Sequence, residues 1–140
     1  MSNHKILVVE DDADVRRGYQ ILLKANHYDT SFAADSASVL AETRKVKPDL
    51  IILDLGLPAG DGFIVLERLQ ANTNFGMIPV LVVSARDAQG NKERALSAGA
   101  RAYLQKPWDD AELLATISEL INPTGVSPSQ AGSAPAPQAV

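Results

Sequence analysis

The sequence predicts a doubly wound α/β domain, a five-stranded parallel sheet with helices on both faces. Three observations carry that prediction. Short apolar runs alternate with segments of helical periodicity from residue 5 to residue 121, which is the pattern of repeated β-α units. Three of the runs, "KILVVE", "DLIILD" and "IPVLVVSA", are apolar on successive residues, as suits strands covered on both faces. Each of the three stops at or beside an acid or a hydroxyl, where open parallel sheets place their sites.

The elements follow in order. "KILVVE" (5–10) is rich in β-branched residues and bounded by acids, and predicts the first strand. Val15, Tyr19, Leu22 and Leu23 recur at helical spacing, which predicts an amphipathic helix over about 13–26. "YDTSFAA" (28–34) is a weaker strand, expected at a sheet edge. Ser36 to Lys45 reads as a helix closed before Pro48. "DLIILD" (49–54) is the second strongly apolar strand, and "GLPAGDG" (56–62) is a turn by its Gly and Pro content. A helix over about 62–72 follows. "IPVLVVSA" (78–85) is the next buried strand, ending in Ser84. A helix over about 88–98 stops at Gly99, a natural C-terminal cap. "RAYLQK" (101–106) is the last short strand. The final helix starts at Asp109, where Asp109 and Glu112 have capping-box spacing. Its apolar stripe is Leu113, Leu114, Ile117, Leu120 and Ile121. Right-handed crossovers leave few ways to wind five such units.

Composition sets the outer limits. A length of 140 residues argues for one domain, and 46% hydrophobic residues are enough for its core. Cysteine is absent, which excludes a disulfide framework and thiol redox chemistry. The N-terminus lacks a basic segment followed by a long apolar run, and no apolar stretch reaches membrane-spanning length. A soluble, cytoplasmic protein without membrane contact is therefore expected. The net charge of −4 disfavours direct nucleic-acid binding, which draws on a basic footprint. Residues 123–140 hold four of the eight prolines and no charged or aromatic residue. Such a segment is expected to be a disordered tail or linker, which leaves residues 4–122 as the folded domain.

Chemistry converges at the strand ends. The first strand ends at Glu10-Asp11, the third at Asp54, the fourth at Ser84 and the fifth at Lys106. If the central strands are neighbours, these side chains meet at one edge. Three carboxylates that close cannot all stay ionised without a cation. All are hard oxygen ligands with no His or Cys beside them, which selects Mg²⁺ or Mn²⁺ over zinc. Mg²⁺ prefers one or two carboxylates plus a phosphate oxygen. A carboxylate can itself be the nucleophile that takes a phosphoryl group. Lys106 would offset charge developing on that group, and Ser84 could donate a hydrogen bond to it.

With these pieces in place the chain resembles a response-regulator receiver domain of two-component signalling. The matching residues are Glu10 and Asp11 after the first strand, "DLGLPAGDG" around Asp54, Ser84-Ala85, Tyr103 and Lys106-Pro107. They stand in the family's order and spacing over about residues 5–121. The resemblance implies the flavodoxin-like strand order 2-1-3-4-5. It implies Asp54 as phosphoacceptor, Asp11 as direct Mg²⁺ ligand, Glu10 as a ligand mainly through water, and the Gly56 carbonyl as another ligand. Lys106 would contact the phosphoryl group, Ser84 would swing toward it, and Tyr103 would change rotamer with it. A cis bond before Pro107 is also implied.

The implied partner is a phosphohistidine on a histidine kinase or phosphotransfer protein. The surface of the fourth helix, last strand and last helix would then recruit a partner or dimerise. On this reading the protein is a signalling switch that catalyses only its own phosphotransfer and dephosphorylation. No output domain is expected after residue 122, so the chain is a single-domain regulator or a receiver cut from a longer protein. Gly56 and Leu57 depart from the residues frequent in the family, and Gly56 and Arg86 are expected to tune the phosphorylated lifetime. Three rival functions fit the residues less well. A haloacid-dehalogenase-type phosphatase usually has a second Asp two residues after its nucleophile, where this chain has Gly56. A flavin carrier lacks its phosphate loop here. A degenerate scaffold would not need the complete set of site residues.

Several residues have plainer expected roles. Asp12 is expected to N-cap the first helix, with Asp14 favourable in its first turn, and Asp61 to cap or bend the turn before the third helix. Tyr103 is expected to pack in the core, whether or not it also switches. His4 and His27 are expected to be exposed. Trp108, the single Trp, is expected to pack or to face a partner, and its closeness to Lys106 makes it a fluorescence probe.

Overall fold

A computed structural model describes residues 3–56, 62–85 and 88–122. Strands and helices alternate strictly in the order β1 (Lys5–Val9), α1 (Ala13–Ala25), β2 (Asp29–Ala33), α2 (Ser36–Val46), β3 (Leu50–Leu53), α3 (Gly62–Ala71), β4 (Val80–Ser84), α4 (Ala88–Ser97), β5 (Ala102–Gln105) and α5 (Asp110–Ile121). All the pairings are parallel, and the sheet order is β2-β1-β3-β4-β5. Among the described residues no helix is long and apolar enough to cross a membrane.

The central strands β1, β3 and β4 are buried almost throughout, whereas the edge strands β2 and β5 are only partly so. That division is what the run compositions predict. Alternate side chains feed two cores. Leu7, Val9, Ile51, Leu53 and Val82 join Val39 of α2, Leu66 and Leu69 of α3 and Ala95 of α4 on one face. Ile6, Val8, Ile52 and Val83 join Tyr19 and Leu23 of α1 and Leu113 and Ile117 of α5 on the other. Burying one such leucine or isoleucine is worth about 2 kcal/mol, so the two cores together hold the strand ends in register.

Helix starts follow local chemistry. The Asp12 carboxylate accepts from the N–H groups of Asp14 and Val15 at 2.8 and 3.1 Å, making it the N-cap of α1. Asp109 caps α5 by accepting from Glu112 N–H at 2.9 Å. His4 and His27 are both exposed. His27 lies in the left-handed region at φ 68°, just past the end of α1, where a glycine would be the easier choice. One element differs from expectation. The helix expected over 88–98 is broken near its start, at Gln89 and Gly90, because Gly90 takes φ 81°. Glycine alone enters that region without strain, so the regular part of α4 begins after it.

Candidate functional site

The carboxyl ends of β1, β3, β4 and β5 gather the residues that carry chemistry. β1 and β3 are hydrogen-bonded neighbours, although β2 separates them in sequence. The winding direction reverses between them, and a crevice opens beyond strand ends at such a point. Backbone bonds fix the acids there. Glu10 N–H donates to Ala33 O at 3.0 Å, and Asp54 N–H donates to Val9 O at 3.1 Å. Lys106 is held likewise, its N–H donating to Ser84 O at 2.8 Å. The Lys106–Pro107 peptide bond is cis.

Carboxylate oxygens of Glu10, Asp11 and Asp54 all lie within 4.8 Å of one another. Glu10 is only 2% exposed and Asp54 is buried, while Asp11 faces solvent. The Lys106 ammonium bridges two of them, donating to Glu10 Oε1 at 2.5 Å and to Asp54 Oδ2 at 3.3 Å. The other oxygens of these two acids take backbone donors. Asp12 N–H donates to Glu10 Oε2 at 3.2 Å, and Gly56 N–H donates to Asp54 Oδ1 at 3.1 Å.

Three carboxylates thus gather where one ammonium pairs with two of them, and negative charge is in excess. Burial pushes the Glu10 carboxyl above its ordinary value, and the Asp54 charge adds to that; the Lys106 and Asp12 donors pull the other way without prevailing. Burial opposes charge on Lys106 too. Its bond to Glu10 and the charges of Asp54 and Glu10 outweigh that burial and raise its value.

The signs give a pH prediction. Folded Glu10 holds its proton more tightly than unfolded Glu10, so its contribution to stability is present below the ordinary value of 4.5 and lost as pH rises through the raised one. Lys106 contributes across neutral pH and loses its contribution only as pH rises through a value above 10.5. Urea midpoints of wild type and Glu10→Gln measured across the acid range should converge as pH falls and separate as it rises.

The donor set is oxygen throughout, buried on one side and open at Asp11, with excess negative charge. Those features fit Mg²⁺ or Mn²⁺. Ser84, at the end of β4, is 1% exposed. Val82 pairs with Tyr103 in register, and Ser84 lies two residues beyond Val82, so Ser84 and Tyr103 share one face of the sheet. Tyr103 is a core side chain on that face. Gly56 is exposed beside Asp54, and a Cβ there would meet Asp54 Oδ1 at 3.7 Å, an ordinary contact. Leu57, Asp61 and Arg86 lie outside the described residues.

Two features of the site escape the sequence reading. Gly62 opens α3 with no room for a side chain, because a Cβ would meet Leu55 Cα at 2.5 Å and Asp54 O at 2.7 Å. Trp108 stacks on Tyr19 of α1, with ring centroids 4.4 Å apart and planes 22° from parallel. The only signal for the stack was an aromatic residue within the α1 stripe.

The family model described as "Response regulator receiver domain" matches residues 6–118. The transcriptional regulatory protein PrrA of Mycobacterium leprae is 36% identical over 127 residues, covering 91% of this chain and 54% of that protein. The chain thus spans about half the length of the PrrA regulators that it matches. A putative response regulator from Chloroflexus aurantiacus superposes with a TM-score of 0.81 at 28% identity, covering 85% of this chain and 98% of that one. The receiver domain of the sensor histidine kinase PA1611 from Pseudomonas aeruginosa, described with a magnesium ion coordinated in its active site cleft, gives 0.78 at 28% identity, with coverages of 86% and 98%.

Proposed function

Because the chain belongs to the response regulator receiver domain family, whose members are signalling switches of two-component systems, we propose that Asp54 accepts a phosphoryl group with Mg²⁺ bound beside it. The observation that carries this reading is the juxtaposition of Glu10, Asp11, Asp54 and Lys106 at one sheet edge. The donor is a phosphohistidine of a histidine kinase or phosphotransfer protein. An Asp54 carboxylate oxygen attacks phosphorus, the new P–O bond forms, and the P–N bond to the imidazole breaks. The electron pair leaves on the imidazole.

Each residue has a stated part. Glu10, Asp11 and Asp54 would hold the cation, with the Gly56 carbonyl as a further donor, and Mn²⁺ would serve in place of Mg²⁺. The chemistry bound Mg²⁺ supplies is charge neutralisation on the transferring oxygens. Lys106 leaves its bond to Asp54 to hold a phosphoryl oxygen, adding positive charge where negative charge develops. Ser84 donates to another phosphoryl oxygen, and Tyr103 follows it on the shared sheet face. The reshaped surface of α4, β5 and α5 then binds a downstream protein or output domain, or pairs with a second copy, in the cytoplasm. Gly56 and Arg86 set how long the phosphate lasts. Residues 4–122 form the receiver, and 123–140 a tail or linker, which lies outside the described residues.

Incubation of the wild type with acetyl phosphate and Mg²⁺ tests this. A lasting gain of one phosphate, abolished by chelating the metal, is the expected result; no gain with any donor overturns the reading. The acids also divide. Asp11→Ala should weaken Mg²⁺ binding sharply, whereas Asp12→Ala should keep it and lose about 1 kcal/mol of stability through the cap. Equal Mg²⁺ loss in both would contradict the assignment.

A further inference from the structure

Contacts around the site close on themselves. Lys106 binds Glu10 Oε1, and two residues later Trp108 stacks on Tyr19. Tyr19 belongs to α1, whose cap residue Asp12 donates its N–H to Glu10 Oε2. The Glu10 carboxylate is thus held both by Lys106 in the β5–α5 turn and by the N–H of the α1 cap, and the same two segments meet again in the aromatic stack.

Further details show that the stack is anchored. Tyr19 is 1% exposed and belongs to the core beneath α1. The Trp108 indole N–H donates to Asp110 Oδ1 in the first turn of α5 at 2.9 Å. Pro107 stands between Lys106 and Trp108 with its φ fixed by the ring. Trp108 also walls a groove of about 420 Å³ together with Val15, Ala85, Lys106 and Pro107. Only one residue, Pro107, separates the residue that carries the indole from the lysine.

We propose that Tyr19 is a positioning residue for Lys106, acting through its stack on Trp108 to hold the ammonium over Asp54. This rests on the reading of Asp54 as phosphoacceptor. In this role Tyr19 need touch neither the phosphoryl group nor the cation. Its loss should lower the rate of phosphoryl transfer and leave the Mg²⁺ site, built by Glu10, Asp11 and Asp54, in place. Displacing a charge-stabilising group by about 1 Å costs up to about a hundredfold in rate.

The test compares wild type, Tyr19→Phe, Tyr19→Leu and Trp108→Leu. Acetyl phosphate at saturating Mg²⁺ gives the transfer rate, Mg²⁺ titration the affinity, and far-ultraviolet dichroism the folded fraction. Tyr19→Leu and Trp108→Leu should each slow transfer per folded molecule by about ten- to a hundredfold with Mg²⁺ affinity changed less than about threefold. Tyr19→Phe, which keeps the ring, should match wild type. Trp108 is half-buried, so Trp108→Leu remains informative if Tyr19→Leu fails to fold. Wild-type rates in the leucine variants, or equal slowing in Tyr19→Phe, would overturn the positioning role. Absence of phosphorylation in the wild type itself would instead overturn the function on which it rests.

Discussion

Lys106→Met is expected to slow phosphorylation of Asp54 by about 10²–10³-fold and to leave Mg²⁺ binding unchanged or tighter. The ammonium sits 3.3 Å from Asp54 Oδ2 and bonds to Glu10 as well. Removing it takes away positive charge that would meet the transferring oxygens. It also removes a competitor for the carboxylates that would hold the cation, so the two readouts should move apart. A merely structural lysine would give a different pattern, with rate and affinity falling together. Stability carries a further signature. Glu10, 2% exposed, loses its charged partner, and an unpaired buried carboxylate is costly. Taking up a proton relieves that cost, so the stability deficit of Lys106→Met should shrink as pH falls. Single-turnover rates with acetyl phosphate, Mg²⁺ titrations and urea midpoints at several pH values check all three points.

Gly62→Ala is expected to destabilise the fold by about 3 kcal/mol, the upper end for an added methyl group. Its Cβ would lie 2.5 Å from Leu55 Cα and 2.7 Å from Asp54 O. Both are backbone atoms, so no side chain can swing away to make room. Gly62 N–H also donates to Leu55 O at 3.1 Å, and this bond ties α3 to the segment carrying Asp54. Helix and strand end must separate, and Asp54 moves with them. Gly56→Ala is the matched control, since its Cβ would meet Asp54 Oδ1 at an ordinary 3.7 Å. Urea unfolding should show a large drop in midpoint for Gly62→Ala and little change for Gly56→Ala.

That pair of glycines marks where the sequence stops being informative. Both stand at the ends of "GLPAGDG", and composition assigns both to a turn. Only the approach of α3 to the end of β3 makes one of them obligatory. The strands were legible because the apolar runs of β1, β3 and β4 have no polar interruption, as two covered faces require. Helix starts were legible because Asp12 and Asp109 act on N–H groups two or three residues away. The break at Gly90 was not, because a glycine inside a helical pattern is often tolerated. Glu10, Asp11, Asp54 and Lys106 could be placed together because each ends a strand of one parallel sheet. The Tyr19–Trp108 stack joins a helix to a turn, and no spacing rule relates those two segments. Tyr103 was open to two readings from sequence; it packs within the core on the face it shares with Ser84.

On the proposed function the phosphate goes to Asp54 and not to Glu10, the acid that Lys106 holds more closely. Reductive trapping tests it most directly, because borohydride converts an aspartyl phosphate to homoserine, which peptide mass spectrometry can place. Wild type treated with acetyl phosphate and Mg²⁺ should yield homoserine at position 54 alone, and Asp54→Ala or removal of Mg²⁺ should yield none. Homoserine at position 11 or 12, or persistent labelling of Asp54→Ala, would contradict the account.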